Sequence, residues 1–150
     1  MLAGCDSETE MSTAEQERKV IADVFGSNLN LDQLPNYANQ PVPAYIARNN
    51  TGANVIVNEK AVIGRVLFYD KNLSTNNSVS CASCHRQANA FGDVSVVSTG
   101  VNGTTGRHSM RLINVRFAGE PRFFWDERAP TLEAQTTQPI QDHGEMGFSG

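Results

Sequence analysis

The sequence predicts an all-α fold of short helices joined by long loops. Three observations lead there. Apolar residues recur at helical spacing in several short segments. No segment alternates apolar and polar residues as a half-buried strand would. The stretches between the periodic segments are crowded with Asn, Pro and Gly. At 150 residues the chain has the length of about one domain. Its hydrophobic share of 39% and aromatic share of 7% allow one modest core. No internal repeat is found.

The elements follow in order. Ser12-Thr13-Ala14-Glu15 has capping-box spacing, and Val20, Ile21, Val24 and Phe25 then repeat at helical intervals until Gly26. Residues 27–57 carry Pro35, Pro41 and Pro43 among many Asn residues and read as an extended wrap. Asn58 opens a second helix with Val62, Ile63, Val66 and Leu67 on one face, and Asp70-Lys71-Asn72 ends it. Residues 74–78 form a polar loop, and a short helix spans roughly Cys81 to Ala88. Thr99 to Gly106 contains three glycines and reads as a flexible loop. A last short helix covers Thr131 to Gln138, starting after Pro130. The resulting domain scheme is a leader remnant and acidic tether over 1–12, a helix and wrap over 13–57, and the main domain over 58–150.

Charge and length exclude some functions. Lys and Arg number 12 against 16 Asp and Glu, a net charge of -4, so no basic surface is expected for nucleic acid. No run approaches the ~18 apolar residues of a membrane-spanning helix.

Cys81-Ala82-Ser83-Cys84-His85 carries the chemistry. The spacing C-x-x-C-H suits covalent attachment of haem c: on a helical turn two thiols can each form a thioether with a haem vinyl group. The adjacent His85 then binds iron as the proximal ligand. A zinc site would need four ligands, and the chain has no second cysteine pair. A thioredoxin-like redox pair is expected near a βαβ pattern, which is missing. Short helices and long loops around such a group suit a cytochrome c-like domain, with the porphyrin supplying much of the core.

The third cysteine, in Leu2-Ala3-Gly4-Cys5, has the small-residue pattern of a bacterial lipoprotein cleavage site. Only Met1 to Gly4 precede it, so the basic and apolar parts of a signal are expected upstream or trimmed. A lipid anchor at Cys5 and a periplasmic location are the expectations. The acidic, Ser/Thr-rich run from Asp6 to Thr13 is then a tether.

From about Ile63 onward the chain resembles the N-terminal, peroxidatic half of bacterial di-haem cytochrome c peroxidases, a family related to the methylamine dehydrogenase maturation enzyme. The resemblance runs through Gly64-Arg65-Val66-Leu67-Phe68-Tyr69-Asp70, Leu73-Ser74 and Ser80 to His85. It continues with Gly106-Arg107-His108-Ser109, Phe124 to Ala129, Thr131 to Gln135, and Pro139-Ile140-Gln141 on to Glu145-Met146-Gly147. It implies that Glu145 is the acid/base carboxylate on the iron face opposite His85, and that Gln135 positions peroxide by hydrogen bonding. It implies that Trp125 conducts electrons between two haems. Hydrogen peroxide is then the substrate, and the electron donor is a second haem domain or a small cytochrome c or cupredoxin. That second domain, absent from this chain, is expected to meet this one at a calcium-binding junction; the chain accordingly reads as part of a longer protein.

The chain also departs from the family. Many members carry an iron-capping histidine in the loop after the haem motif, whereas residues 98–103 here are Ser-Thr-Gly-Val-Asn-Gly. His108 stands where an Asn is common and reads as a supporting residue. The role of His143, two residues before Glu145, stays open between tuning that carboxyl and simple exposure. Two other functions stand beside the peroxidase. One is a mono-haem electron carrier with Met110 or Met146 as axial sulfur; the other is a di-haem oxidase of a protein or organic substrate.

Overall fold

A computed structural model describes residues 11–52, 54–119 and 122–149. Cys5 and the tether as far as residue 10 lie outside the described residues. Contacts divide the chain between Asn36 and Tyr37 into two compact units.

The first unit holds helix α1 (Thr13–Phe25), which begins and ends where the sequence signals it. Ser12 Oγ accepts from the Glu15 amide at 3.4 Å, and Glu15 Oε2 accepts from the Ser12 amide at 2.8 Å, closing the capping box. Gly26 is its C-cap. None of its residues is buried, so local capping and the Lys19–Asp23 pair at 2.8 Å support the helix more than core packing does.

The second unit is built on helix α2 (Asn58–Tyr69), which packs against helix α3 (Cys81–Cys84). Asn58 Oδ1 accepts from the amides of Tyr37 and Ala38 at 2.8 and 2.9 Å, tying the wrap to the start of α2. The wrap's asparagines do the work that strand pairing would do elsewhere. Asn50 Nδ2 donates to the Val115 and Ala118 carbonyls at 3.2 and 3.1 Å. Asn54 Nδ2 donates to Glu133 Oε1 at 2.7 Å. An amide side chain can satisfy backbone groups where no ladder forms.

Three elements differ from the sequence reading. α3 stops at Cys84 instead of running to Ala88, because His85 leaves helical geometry at φ -108°, ψ 76°. A 3-10 turn over Gln87–Asn89 follows. The glycine-rich loop is a small antiparallel hairpin, β1 (Thr99–Gly100) with β2 (Gly103–Thr104), so the fold is mostly helical rather than purely so. Helix α4 (Leu132–Gln141) starts one residue later than expected and continues through Pro139. Proline has no N–H, so the Gln135 carbonyl loses its helical donor. The last carbonyls of α4 are taken by the chain folding back: Gln138 accepts from Asp142, Pro139 from Met146 and Ile140 from Phe148, at 2.9, 3.3 and 3.0 Å. This return path ties residues 142–148 to the end of α4.

Among the described residues, the buried apolar side chains are Val62, Ala129 and Met146. Phe68 adds edge-on ring contacts to Tyr69 and Phe91, with centroids 5.2 and 6.1 Å apart. Packing of apolar groups on one another is sparse, and a large cavity lies between α3 and α4.

Candidate functional site

The cavity measures about 440 Å³, within the ~300–1,000 Å³ of ordinary cofactor and ligand pockets. Cys81, Cys84 and His85 form one part of its wall, with Phe68 beside them. Met110, Leu112 and Phe124 add apolar surface, and Trp125 and Arg128 stand nearby. Gln135 and Pro139 of α4, then Asp142, Glu145 and Met146, complete it. Cys81, Cys84, His85, Trp125, Gln135 and Glu145 therefore all line one cavity.

The thiol pair is positioned by α3. Ser80 caps that helix, its amide donating to Ser83 Oγ at 3.0 Å. Ser74, almost fully buried, accepts from the Val79 amide at 3.3 Å and fixes the polar loop leading in. Cys81 and Cys84 are both free and partly buried. Burial pushes both thiols up from the ordinary cysteine range. Among the described residues, no group of three or more His, Cys, Asp or Glu side chains gathers to hold a metal ion.

His85 is oriented by a contact that sequence reasoning missed. Its Nδ1 lies 2.9 Å from the Phe91 carbonyl. A carbonyl only accepts, so Nδ1 carries the proton and Nε2 keeps a free lone pair, as a metal-binding imidazole requires. Ala90 and Phe91 sit at φ 55° and 57°, an uncommon left-handed pair that turns the chain back. The Phe91 amide donates to the Arg86 carbonyl at 2.9 Å and holds the turn. Nothing in the residue types flags this turn.

Glu145 is held by backbone contacts on either side. Asp142 Oδ1 accepts from the amides of Gly144 and Glu145 at 2.8 and 3.0 Å. The Glu145 carbonyl accepts from the Val101 amide at 2.9 Å. Its half-buried carboxyl is raised above the usual glutamate range, chiefly by burial and then by the Asp142 charge, with Arg128 opposing. Arg128 itself bonds Asp126 at 2.8 Å and Gln138 Oε1 at 2.9 Å, and its guanidinium lies 3.5 Å from the Phe124 ring centroid. Arg107 bonds the same Asp126 at 2.8 Å, and these two partners hold that carboxyl low.

Trp125 is 61% exposed, so it is no core aromatic; its Nε1 donates to the His108 carbonyl at 2.9 Å. The His108 ring pairs through Nδ1 with the Ser95 carbonyl at 2.8 Å. His143 is exposed and does not line the cavity, while Met110 and Met146 both do.

Residues 58–150 match the family of di-haem cytochrome c peroxidases. The chain belongs to that family. It is 36% identical over 98 residues to the methylamine utilization protein MauG of Methylorubrum extorquens, covering 65% of this chain and 27% of that protein. It is 35% identical over 127 residues to the cytochrome c peroxidase Ccp of Escherichia coli, covering 83% of this chain and 25% of that one. The chain thus spans about a quarter of the length of these relatives. Among solved structures, it resembles a MauG-like protein associated with microbial copper homeostasis at TM-score 0.66 and 36% identity, over 74% of this chain and 35% of that one. The di-haem peroxidase BthA of Burkholderia thailandensis gives 0.55 and 28%, over 60% of this chain and 27% of that one. Membership implies haem c, and the cavity fits it. A thiol pair, an imidazole with Nε2 free and apolar walls are what a covalently held, iron-ligated porphyrin needs.

Proposed function

We propose that this unit is a haem c peroxidase domain that reduces hydrogen peroxide to water. Cys81 and Cys84 would attach the haem and His85 would ligate its iron. Electrons would come from a second haem or a small donor protein. What carries the reading is one cavity that gathers the thiol pair, the oriented imidazole and a half-buried carboxyl. When bound, the haem supplies the redox-active iron that passes electrons to the O–O bond. Overall, peroxide takes two electrons and two protons and leaves as two waters.

The chain's own residues manage the protons. Cleavage needs a proton taken from one peroxide oxygen and delivered to the other. Glu145 can do both in turn, because its raised proton affinity lets the carboxylate accept and the acid donate. Gln135 can hold peroxide by donating and accepting hydrogen bonds, but an amide shuttles no proton near neutral pH. Gln135→Ala is therefore expected to slow the reaction with peroxide by only ~10-fold, equivalent to about 1.4 kcal/mol. Stopped-flow mixing measures it. Because thioether haem is assembled outside the cytoplasm, the reading also puts the domain in the periplasm.

The as-isolated ferric protein is expected to be high-spin and to react with peroxide without prior reduction. The hairpin over 99–104 brings no histidine to the cavity, and the ring of His108 is engaged with Ser95. The visible spectrum of the holoprotein, followed by peroxide consumption with a reduced small cytochrome c, tests the proposal. A low-spin spectrum with two nitrogen ligands would overturn the expectation of an open iron and indict His108, without by itself removing the peroxidase reading. A methionine-sulfur band would make the protein an electron carrier through Met110 or Met146.

A second reading, oxidation of a protein or organic substrate, is favoured by one observation. The MauG relative is as similar as the peroxidase relative, 36% against 35% identical. Peroxide consumption that does not respond to added electron donor would favour it.

A further inference from the structure

The hairpin after the haem motif is pinned at both ends. At its base Ser98 is fully buried, and its Oγ donates to Asp93 Oδ2 at 2.7 Å and lies 2.6 Å from Ser109 Oγ. The Ser98 amide donates to Thr105 Oγ1 at 2.9 Å, and the Thr105 amide returns a bond to the Ser98 carbonyl at 2.9 Å. At its tip three donors meet three successive carbonyls. Asn102 Nδ2 reaches His143 at 2.8 Å, the Asn102 amide reaches Gly144 at 3.4 Å, and the Val101 amide reaches Glu145 at 2.9 Å.

Between base and tip the two backbones touch. A Cβ on Gly100 would overlap the Gly144 carbonyl oxygen and lie 2.9 Å from Glu145 Cα, so only glycine fits. Beyond Glu145 the packing is equally close. Gly147 has φ +86°, and a Cβ there would stand 2.9 Å from Val101 Cγ2 and 2.6 Å from Thr75 Oγ1. The backbone bearing Glu145 is thus fixed by the hairpin, while Asp142 holds its amide.

We propose that the β1–β2 hairpin is a positioning clamp for Glu145, with Gly100 and Asn102 setting where its carboxyl stands in the cavity. The hairpin offers no proton-transferring side chain of its own; Gly100 and Asn102 act through Glu145. The inference rests on the reading of Glu145 as the acid/base group. It gives the glycine-rich loop a role distinct from that of a movable iron cap. A displacement of about 1 Å at a reacting group can cost ~100-fold in rate. Gly100→Ala forces such a displacement, and Asn102→Ala releases one of the three tip contacts.

The experiment is a double-mutant cycle on the holoprotein, read by stopped-flow mixing with hydrogen peroxide. Gly100→Ala alone is expected to slow the reaction ~10- to 100-fold. Added to Glu145→Gln, it should change the rate less than ~2-fold, because residues acting through one group are not additive. Thr104→Ala, on the exposed strand away from 143–145, should leave the rate unchanged. Hydrogen exchange of the Val101 amide supplies a readout independent of activity: it should quicken in Gly100→Ala and Asn102→Ala while haem absorption is kept. If Gly100→Ala yields no folded holoprotein, Asn102→Ala carries the same cycle. Equal slowing with and without Glu145→Gln would overturn the clamp, as would faster Val101 exchange at an unchanged rate. If Glu145→Gln alone reacts at the parental rate, the acid/base reading itself fails and the clamp with it. If that variant is slow and both hairpin variants are not, the clamp alone fails.

Discussion

Glu145→Gln is expected to slow the reaction with hydrogen peroxide by at least ~100-fold, with haem content, visible spectrum and fold retained. General acid–base assistance is typically worth ~100 to 10,000-fold, and Gln keeps the size of the side chain while losing the ionisable carboxyl. Gln135 cannot substitute, since its amide stays neutral and does not pass a proton on. The pH dependence carries the sign. The carboxyl must begin as the acceptor, so the parental rate should rise as pH rises through its ionisation. Burial and the Asp142 charge set that limb above the usual glutamate range. In Glu145→Gln the limb should vanish while the slow residual rate remains. A parental rate in the variant would make the carboxylate a bystander.

The other large effect concerns attachment. In the parent, haem should stay with the protein through extraction by acidified organic solvent, because two thioether bonds hold it. In the double variant Cys81→Ser, Cys84→Ser it should pass entirely into the solvent phase. Each single variant should retain one bond and a shifted absorption band. His85→Ala should lose the axial nitrogen whose orientation the Phe91 carbonyl fixes. Haem that extracts from correctly matured parent protein would refute the attachment outright, and zinc near one per chain with no haem absorption would replace it.

What was legible in the sequence was whatever is decided locally. The capping box at Ser12 and Glu15, the periodic face opening at Asn58 and the Thr131 cap lie within a few residues of the structure they specify. The five residues Cys81 to His85 announce their chemistry by type and spacing alone. The features that escaped depend on contacts across sequence distance. α3 ends early because the His85 ring turns to a carbonyl six residues on. The hairpin has two residues per strand, too few to show alternation, and exists because residues 143–145 accept its tip. The sequence reading ends the last helix at Gln138, yet the helix passes Pro139 to Gln141, with Met146 and Phe148 returning to its final carbonyls. The positions of Glu145 and Gln135 came from family likeness, since a lone Glu or Gln has no local signature.

The three contacts at the hairpin tip have a consequence for how this segment can vary between related chains. Residues 99–104 are anchored by the Ser98 network at one end and by successive carbonyls at the other. Side chains that point outward, such as Thr104, are free to drift. Chain length is not: one residue inserted or deleted between 99 and 104 shifts the register, flips alternate groups and breaks the match to 143, 144 and 145 together. Such a segment should accumulate substitutions while keeping its residue count, and its spacing to the Glu145 segment should prove a firmer mark of common descent than its letters.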